Sequence, residues 1–181
     1  MERTKWGLSK AQYYADFVIA PISAAILAVL SLLNGITPSL LVALGGGWVF
    51  WTWFEYTVHR FVFHGNNRFA EEHAKHHLDE GAFIGVSPVW TVAGFCTLFA
   101  IAAAVFGLQD AQMFTAGTLL GYFRYIWVHD RMHHSEIAPG HGLYALKIHH
   151  VGHHRGTPGN YGVSTKVWDR VFRTLPTRRR V

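Results

Sequence analysis

The sequence predicts an all-α membrane protein: four transmembrane helices carrying a cytosolic, histidine-rich helical cap. Three observations predict it. Half of the 181 residues are hydrophobic and only 15% are charged, against roughly 25% charged in ordinary soluble domains. Four long apolar runs each approach the roughly 20 residues that cross a hydrocarbon core. Thirteen histidines outnumber the eleven carboxylates, and they cluster beyond the ends of those runs.

The runs cover about Tyr14–Leu33, Ser39–Thr57, Val86–Leu108 and Ala111–Val128. Their length favours helices over strands, and a backbone crossing lipid must satisfy its own hydrogen bonds. "NGITP" joins the first two runs and about "GLQDA" joins the last two, and neither connection holds Lys or Arg. The 16 basic residues lie at the N-terminus, in the 59–77 region and after the fourth run, apart from Arg124, which is about one turn inside the end of that run. The positive-inside rule then places both termini and the histidine segments in the cytoplasm, with Arg124 snorkelling to the interface. Trp48, Trp51, Trp53, Tyr122, Tyr125 and Trp127 suit an aromatic belt on that side. The Gly45-Gly46-Gly47 run is read as a helix-packing site. The terminal "RRRV" would meet anionic headgroups or simply be solvated.

Other classes are set aside on composition. The single cysteine, Cys96, precludes an intrachain disulfide and reads as a small buried hydrophobe. The net charge of +5 does not form a nucleic-acid footprint, because the basic residues follow membrane topology. The start of the chain lacks a cleavage pattern and reads as a retained cytosolic end. A non-redox membrane metal-binding or transport protein stays as an alternative, although a transporter should bury ionisable residues mid-span and the runs carry almost none, Asp16 and Arg124 lying near their ends.

The histidines are patterned. "HRFVFH" supplies His59 and His64; "HAKHH" supplies His73, His76 and His77. "HDRMHH" supplies His129, His133 and His134, and "HHVGHH" supplies His149, His150, His153 and His154. Residues three or four apart share a helix face, so each H-x-x-H-H triplet should project together, as should His129 and His133. His59 and His64 are five apart, off-face on a straight helix, so with Gly65 following His64 falls in a frayed last turn. His141 stands alone and reads as a surface or satisfied residue. Converged, the pairs and triplets offer about ten imidazoles, too many for one metal and about right for two. Imidazole suits zinc, copper, iron and nickel, and soluble di-iron bundles use Glu-x-x-His pairs that are not found near these clusters. Two irons would add redox chemistry with dioxygen; zinc would fill the same donors, as in a purified sample, without it.

On "FEYTVHRFVFH", the two triplets, "HDRMHHS" and "GNYGVSTKVWDRVFRT", the chain resembles the fatty acid hydroxylase superfamily, which includes sterol desaturases and fatty acid 2-hydroxylases. The resemblance runs from about Trp53 to Thr174. It implies a single integral-membrane domain over residues 1–181, with histidine-rich cytosolic segments at 58–85 and 129–181, and two iron ions. Carried over by position, the implied ligands are His59, His64, His73, His76, His77, His129, His133, His150, His153 and His154; His134 and His149 sit beside them and stay open. The implied reaction is oxygen-dependent hydroxylation of an aliphatic C–H bond on a lipid, a fatty acyl chain, entering from the bilayer. The 181 residues hold no cytochrome b5 domain, so a separate electron donor, cytochrome b5-like or ferredoxin, is implied. The "HAKHH…DEGAFIGVSP" stretch and compact size also resemble bacterial carotenoid hydroxylases, which keeps a carotenoid ring in play as substrate.

Ligating imidazoles usually donate their second N–H to a carboxylate or carbonyl. Glu55, Glu72, Asp79, Asp130 and Asp169 are the nearby carboxylates. Glu55, one helical turn before His59, is the foremost candidate to orient it. Arg60, Lys75 and Arg155 could equally contact headgroups or a donor protein.

Overall fold

The computed structural model describes residues 7–156 and 158–176. The "RRRV" tail and the first six residues lie outside them. Among the described residues there are seven α-helices and no strand, only an isolated antiparallel bridge between Gly7 and Ile84. The chain divides into two compact units, Met1–Trp51 with Phe83–Arg124, and Thr52–Ala82 with Tyr125–Val181.

The first unit holds α1 (Lys10–Leu32), most of α2 (Pro38–Thr57), α4 (Pro88–Phe106) and much of α5 (Leu108–His134). Ser9 and Gln12 start α1 with a reciprocal capping box, which satisfies two of the helix's orphan donors. α1 and α4 are the two helices long and apolar enough to cross a membrane, each with a mean hydropathy of 2.1. Only 22% and 6% of their apolar windows are buried in protein, so Val18, Ile22 and Ile26 of α1 and Val89, Ile101 and Val105 of α4 stay uncovered. Such continuous apolar surface marks a lipid or protein contact. α2 and α5 form where the second and fourth runs were expected, but glycine, threonine and tryptophan in α2, and Gln109, Asp110, Gln112 and Arg124 in α5, dilute their hydropathy.

α5 is the buried centre of this unit, with Ala111, Thr115, Ala116 and Thr118 almost without exposure. It meets α2 backbone to backbone. A Cβ at Gly47 would run into the Phe114 carbonyl, and one at Gly117 into the Leu44 carbonyl. The packing role of the α2 glycine run is therefore carried by Gly47, while Gly45 has open space around it. Ser31 and Gln109 exchange hydrogen bonds at 3.0 Å, Gln109 also reaches the Gly35 carbonyl at 2.7 Å, and Tyr122 donates to the buried Asp16 carboxylate at 2.5 Å. The α4–α5 connection is tighter than "GLQDA" suggested. Gly107 alone breaks the helix, at φ +80°, and helix resumes at Leu108.

The second unit holds the end of α2, a π-helical turn (Val58–Phe63), α3 (Arg68–Leu78), the end of α5, α6 (Tyr144–His154) and α7 (Val167–Val171). Asn67 starts α3, its Oδ1 accepting from the Phe69 and Ala70 N–H groups. Its Nδ2 donates to the Val62 carbonyl at 2.8 Å and so ties the cap to the π turn. Tyr56, fully buried, stacks on Phe172 at 5.3 Å and bonds Thr174. Trp168 Nε1 donates to Thr52 at 3.0 Å. These contacts draw the segment after α6 onto the histidine-bearing helices.

Candidate metal centre

Ten imidazoles gather in the second unit as two groups of five. One is His59, His64, His73, His77 and His153; the other is His76, His129, His133, His150 and His154. Within each group the candidate ligand atoms lie within 4.8 Å of one another. These are the ten histidines expected from the sequence. His134 lies outside both groups, 4.0 Å from Asp130. His149 is outside too, its Nε2 donating to Asp169 at 3.0 Å. His141 is exposed and its Nδ1 accepts from the Leu143 N–H.

The triplets do not project as single units. His73 and His77 enter the first group and His76 the second, while His150 and His154 enter the second and His153 the first. At about 100° per residue, i+3 lies about 60° to one side of i, and i+4 about 40° to the other. One helix therefore feeds two adjoining centres. The π turn corrects the expectation for His59 and His64. In a straight α-helix, residues five apart are about 140° out of phase, whereas π-helical hydrogen bonding runs i to i+5 and restacks them. His64 caps that turn, and both rings reach the first group.

The donor atoms fit cations. In the first group Nε2 atoms face one another at 3.1 Å (His59–His73), 3.0 Å (His73–His77) and 2.9 Å (His64–His153). In the second they do so at 3.2 Å (His76–His129), 3.2 Å (His129–His133) and 2.8 Å (His133–His150). His59 Nδ1–H donates to the Tyr161 carbonyl at 2.6 Å, and His153 Nδ1–H to the Gly159 carbonyl at 2.9 Å. In a neutral imidazole that choice leaves Nε2 as a bare lone pair. Lone pairs aimed at a common point repel one another until a cation sits between them.

Protonation does not relieve this crowding. Burial, then repulsion from neighbouring imidazoles, holds all ten below the ordinary histidine value. His76, His77 and His153 fall to about 4, His133 to about 3 and His154 to about 2. The rings are thus neutral near pH 7, the form in which imidazole can bind a metal. The sign of the acid effect follows. Between the unfolded value of 6.5 and folded values near 4, the unfolded chain binds more protons than the folded one, so stability rises with pH. Chelator-treated protein should hold a flat melting temperature above pH 7 and lose it steeply from pH 6.5 towards 4 in a differential scanning series; a flat profile there would contradict the burial of these rings.

Asp169, with no exposure, organises the oriented half of the site. Its Oδ1 accepts from the Tyr161 N–H and the Thr174 hydroxyl, and its Oδ2 from the Gly162 N–H and His149. This pins the loop whose carbonyls orient His59 and His153. The loop backbone is left-handed at Gly159 (φ +97°) and Asn160 (φ +59°), and a Cβ at Gly159 would strike the Thr174 carbonyl. The tie from Glu55 to His59 is corrected: His59 uses Nδ1 on Tyr161 and Nε2 on the group. Glu55 instead accepts from the Val163 and Ser164 N–H groups and the Ser164 hydroxyl at 2.6 to 3.0 Å, holding the closing segment. Glu72 pairs with Lys75 at 2.6 Å.

Sequence reasoning missed Glu80. This half-exposed carboxylate lies 3.4 Å from His133 Nδ1 and 3.4 Å from His154 Nδ1. It sits in a loop, where no helical periodicity points to it. A cavity of about 190 Å³ opens on the first group, lined by His64, His77, His153 and Tyr161 among others.

A fatty acid 2-hydroxylase of Mus musculus is 32% identical over 141 residues, covering 71% of this chain and 38% of that protein. A dihydroceramide fatty acyl 2-hydroxylase of Arabidopsis thaliana is 34% identical over 151 residues, covering 77% of this chain and 63% of its own. The chain thus spans well under two thirds of the mouse protein. The structure of full-length scs7p, in which only the hydroxylase domain is visible, superposes with a TM-score of 0.78 at 26% identity, over 91% of this chain and 67% of that one. The fatty acid hydroxylase model matches residues 44–174, from α2 to beyond α7, and on that match the chain belongs to the fatty acid hydroxylase family.

Proposed function

We propose that the chain is an integral-membrane di-iron oxygenase that hydroxylates an aliphatic C–H bond of a fatty acyl lipid. The observation that carries this is the pair of five-imidazole groups, neutral and converging. In the balanced reaction the C–H carbon gains a hydroxyl from dioxygen, and two electrons and two protons reduce the other oxygen atom to water. The electrons come from a separate donor, cytochrome b5-like or ferredoxin in type. The relatives named as fatty acyl 2-hydroxylases favour an acyl chain over a carotenoid ring and point to the carbon beside the carboxyl group.

When bound, two irons would supply the electron transfers that dioxygen needs, and an all-nitrogen donor set suits them. The chain does the rest. The ten histidines hold the ions. Tyr161 and Gly159 fix the tautomers of His59 and His153, and Asp169 holds that loop in place. The cavity beside His64, His77 and Tyr161 is where the target carbon approaches.

We read the whole of residues 1–181 as one integral-membrane domain, with α1, α2, α4 and the apolar part of α5 as four spans. The charge asymmetry of the connections puts termini and histidines in the cytoplasm. Two tests address the reading. Purified, iron-supplemented protein should carry two irons per chain by elemental analysis; one loosely held ion would overturn it. Cells expressing the protein should gain 2-hydroxy acyl lipids by mass spectrometry, and a new hydroxyl on carotenoids alone would reassign the substrate.

A further inference from the structure

The two groups differ in how their imidazoles are held. In the first, two Nδ1–H groups are tied to main-chain carbonyls. In the second, Nδ1 of His76, His133, His150 and His154 has no hydrogen-bond partner among the described residues. His133 comes from α5 and His154 from α6, yet their Nδ1 atoms both lie close to one carboxylate. Glu80 Oε2 lies 3.4 Å from the first and Oε1 lies 3.4 Å from the second. His133 Nε2 points the other way, 2.8 Å from His150 Nε2.

We infer that Glu80 is the positioning residue of the second group: its two oxygens accept from Nδ1–H of His133 and of His154, and so present both Nε2 lone pairs to one metal. Glu80 touches no reacting atom and acts through the two rings. An imidazole can donate from only one nitrogen while neutral, so an acceptor at Nδ1 decides which nitrogen ligates. One carboxylate can serve two helices because it has two oxygens and only acceptor capacity. A contraction from 3.4 Å to the 2.7–2.9 Å of a charge-assisted bond, with each Nδ1–H turned towards its oxygen, closes the arrangement. Glu80 is half exposed, while the rings it serves are buried.

The inference rests on the two-metal reading, and its test separates the two. Full-length wild-type protein, Glu80→Gln and Glu80→Asp would be loaded with iron or Co²⁺ in detergent. Metal per chain would then be followed during dialysis against a weak chelator. Glutamine keeps the size of the side chain but sets an NH₂ against one of the two Nδ1–H groups, which pushes that ring to the wrong tautomer. Glu80→Gln should therefore lose one metal about 10- to 100-fold faster than wild type, the usual effect of removing such a partner, and keep the other. The d–d spectrum of the Co²⁺ form should change for half of the ions. Aspartate, still a two-oxygen acceptor, should restore part of the retention. A His133→Ala variant should lose the same ion, and adding Glu80→Gln to it should change little. If wild type holds two ions and Glu80→Gln releases both at wild-type rates, Glu80 has no positioning role. If wild type holds fewer than two, the reading beneath it fails as well.

Discussion

His76→Ala should empty one metal position and leave the other filled, and His153→Ala should empty the opposite one. Each removes a ring from a different group of five, although the two residues come from equivalent H-x-x-H-H triplets. Losing a ligand should cost more affinity than the 10- to 100-fold typical of a partner one shell out. Metal content after chelator dialysis should fall from two per chain to one in either variant. Hydroxylation should fall by about 10³-fold or more in both, because groups that act as a unit fail together. Elemental analysis beside a product assay reads both effects. Two retained ions in either variant would break the assignment of rings to centres.

Asp169→Ala should have the largest effect on stability. The residue has no exposure and accepts from Tyr161, Gly162, Thr174 and His149. Removing it leaves those donors without their acceptor, a loss of about 3–5 kcal/mol for a broken buried charged network. Asp169→Asn keeps the shape but turns an NH₂ towards N–H donors, and should cost about 1–3 kcal/mol. Chemical denaturation measures both. The metal position of the first group should weaken more than that of the second, because only the first depends on the Gly159 and Tyr161 carbonyls. Acid should mimic the variant. Burial alone would raise the Asp169 value, but hydrogen bonds from His149, Thr174 and Gly162 hold it below 3.8. Its stabilisation is thus present above 3.8 and lost as pH falls through the lower folded value.

Much of this site is legible in the sequence because its signals are periodic. Triplets at helical spacing and pairs at helix ends identify the ten rings that gather, and long apolar runs identify the helices α1, α2, α4 and α5. The partition of those rings is harder to read. His76 and His77 are neighbours in sequence, yet about 100° of helix rotation sends them to different centres. The supporting carboxylates were harder still. Glu55 has the right spacing to His59 but is spent on the amides of residues 163 and 164, and main-chain carbonyls, which no side-chain pattern reveals, do the orienting. Asp169 is a nearby carboxylate by sequence, but it serves two of those rings by holding a loop in place. Glu80 is placed by tertiary structure alone.

The π turn between His59 and His64 makes their meeting a property of the backbone. With the same five-residue separation in ordinary α-helix the two rings would stand about 140° apart, so closing the wide turn, with every side chain unchanged, would carry His64 away from its partners. The spacer is held by its side chains as well: Phe63 stacks on His73 at 5.1 Å and Arg60 donates to the Tyr56 hydroxyl. A change in main-chain hydrogen-bonding register alone, invisible in composition, would unmake this half of the cluster.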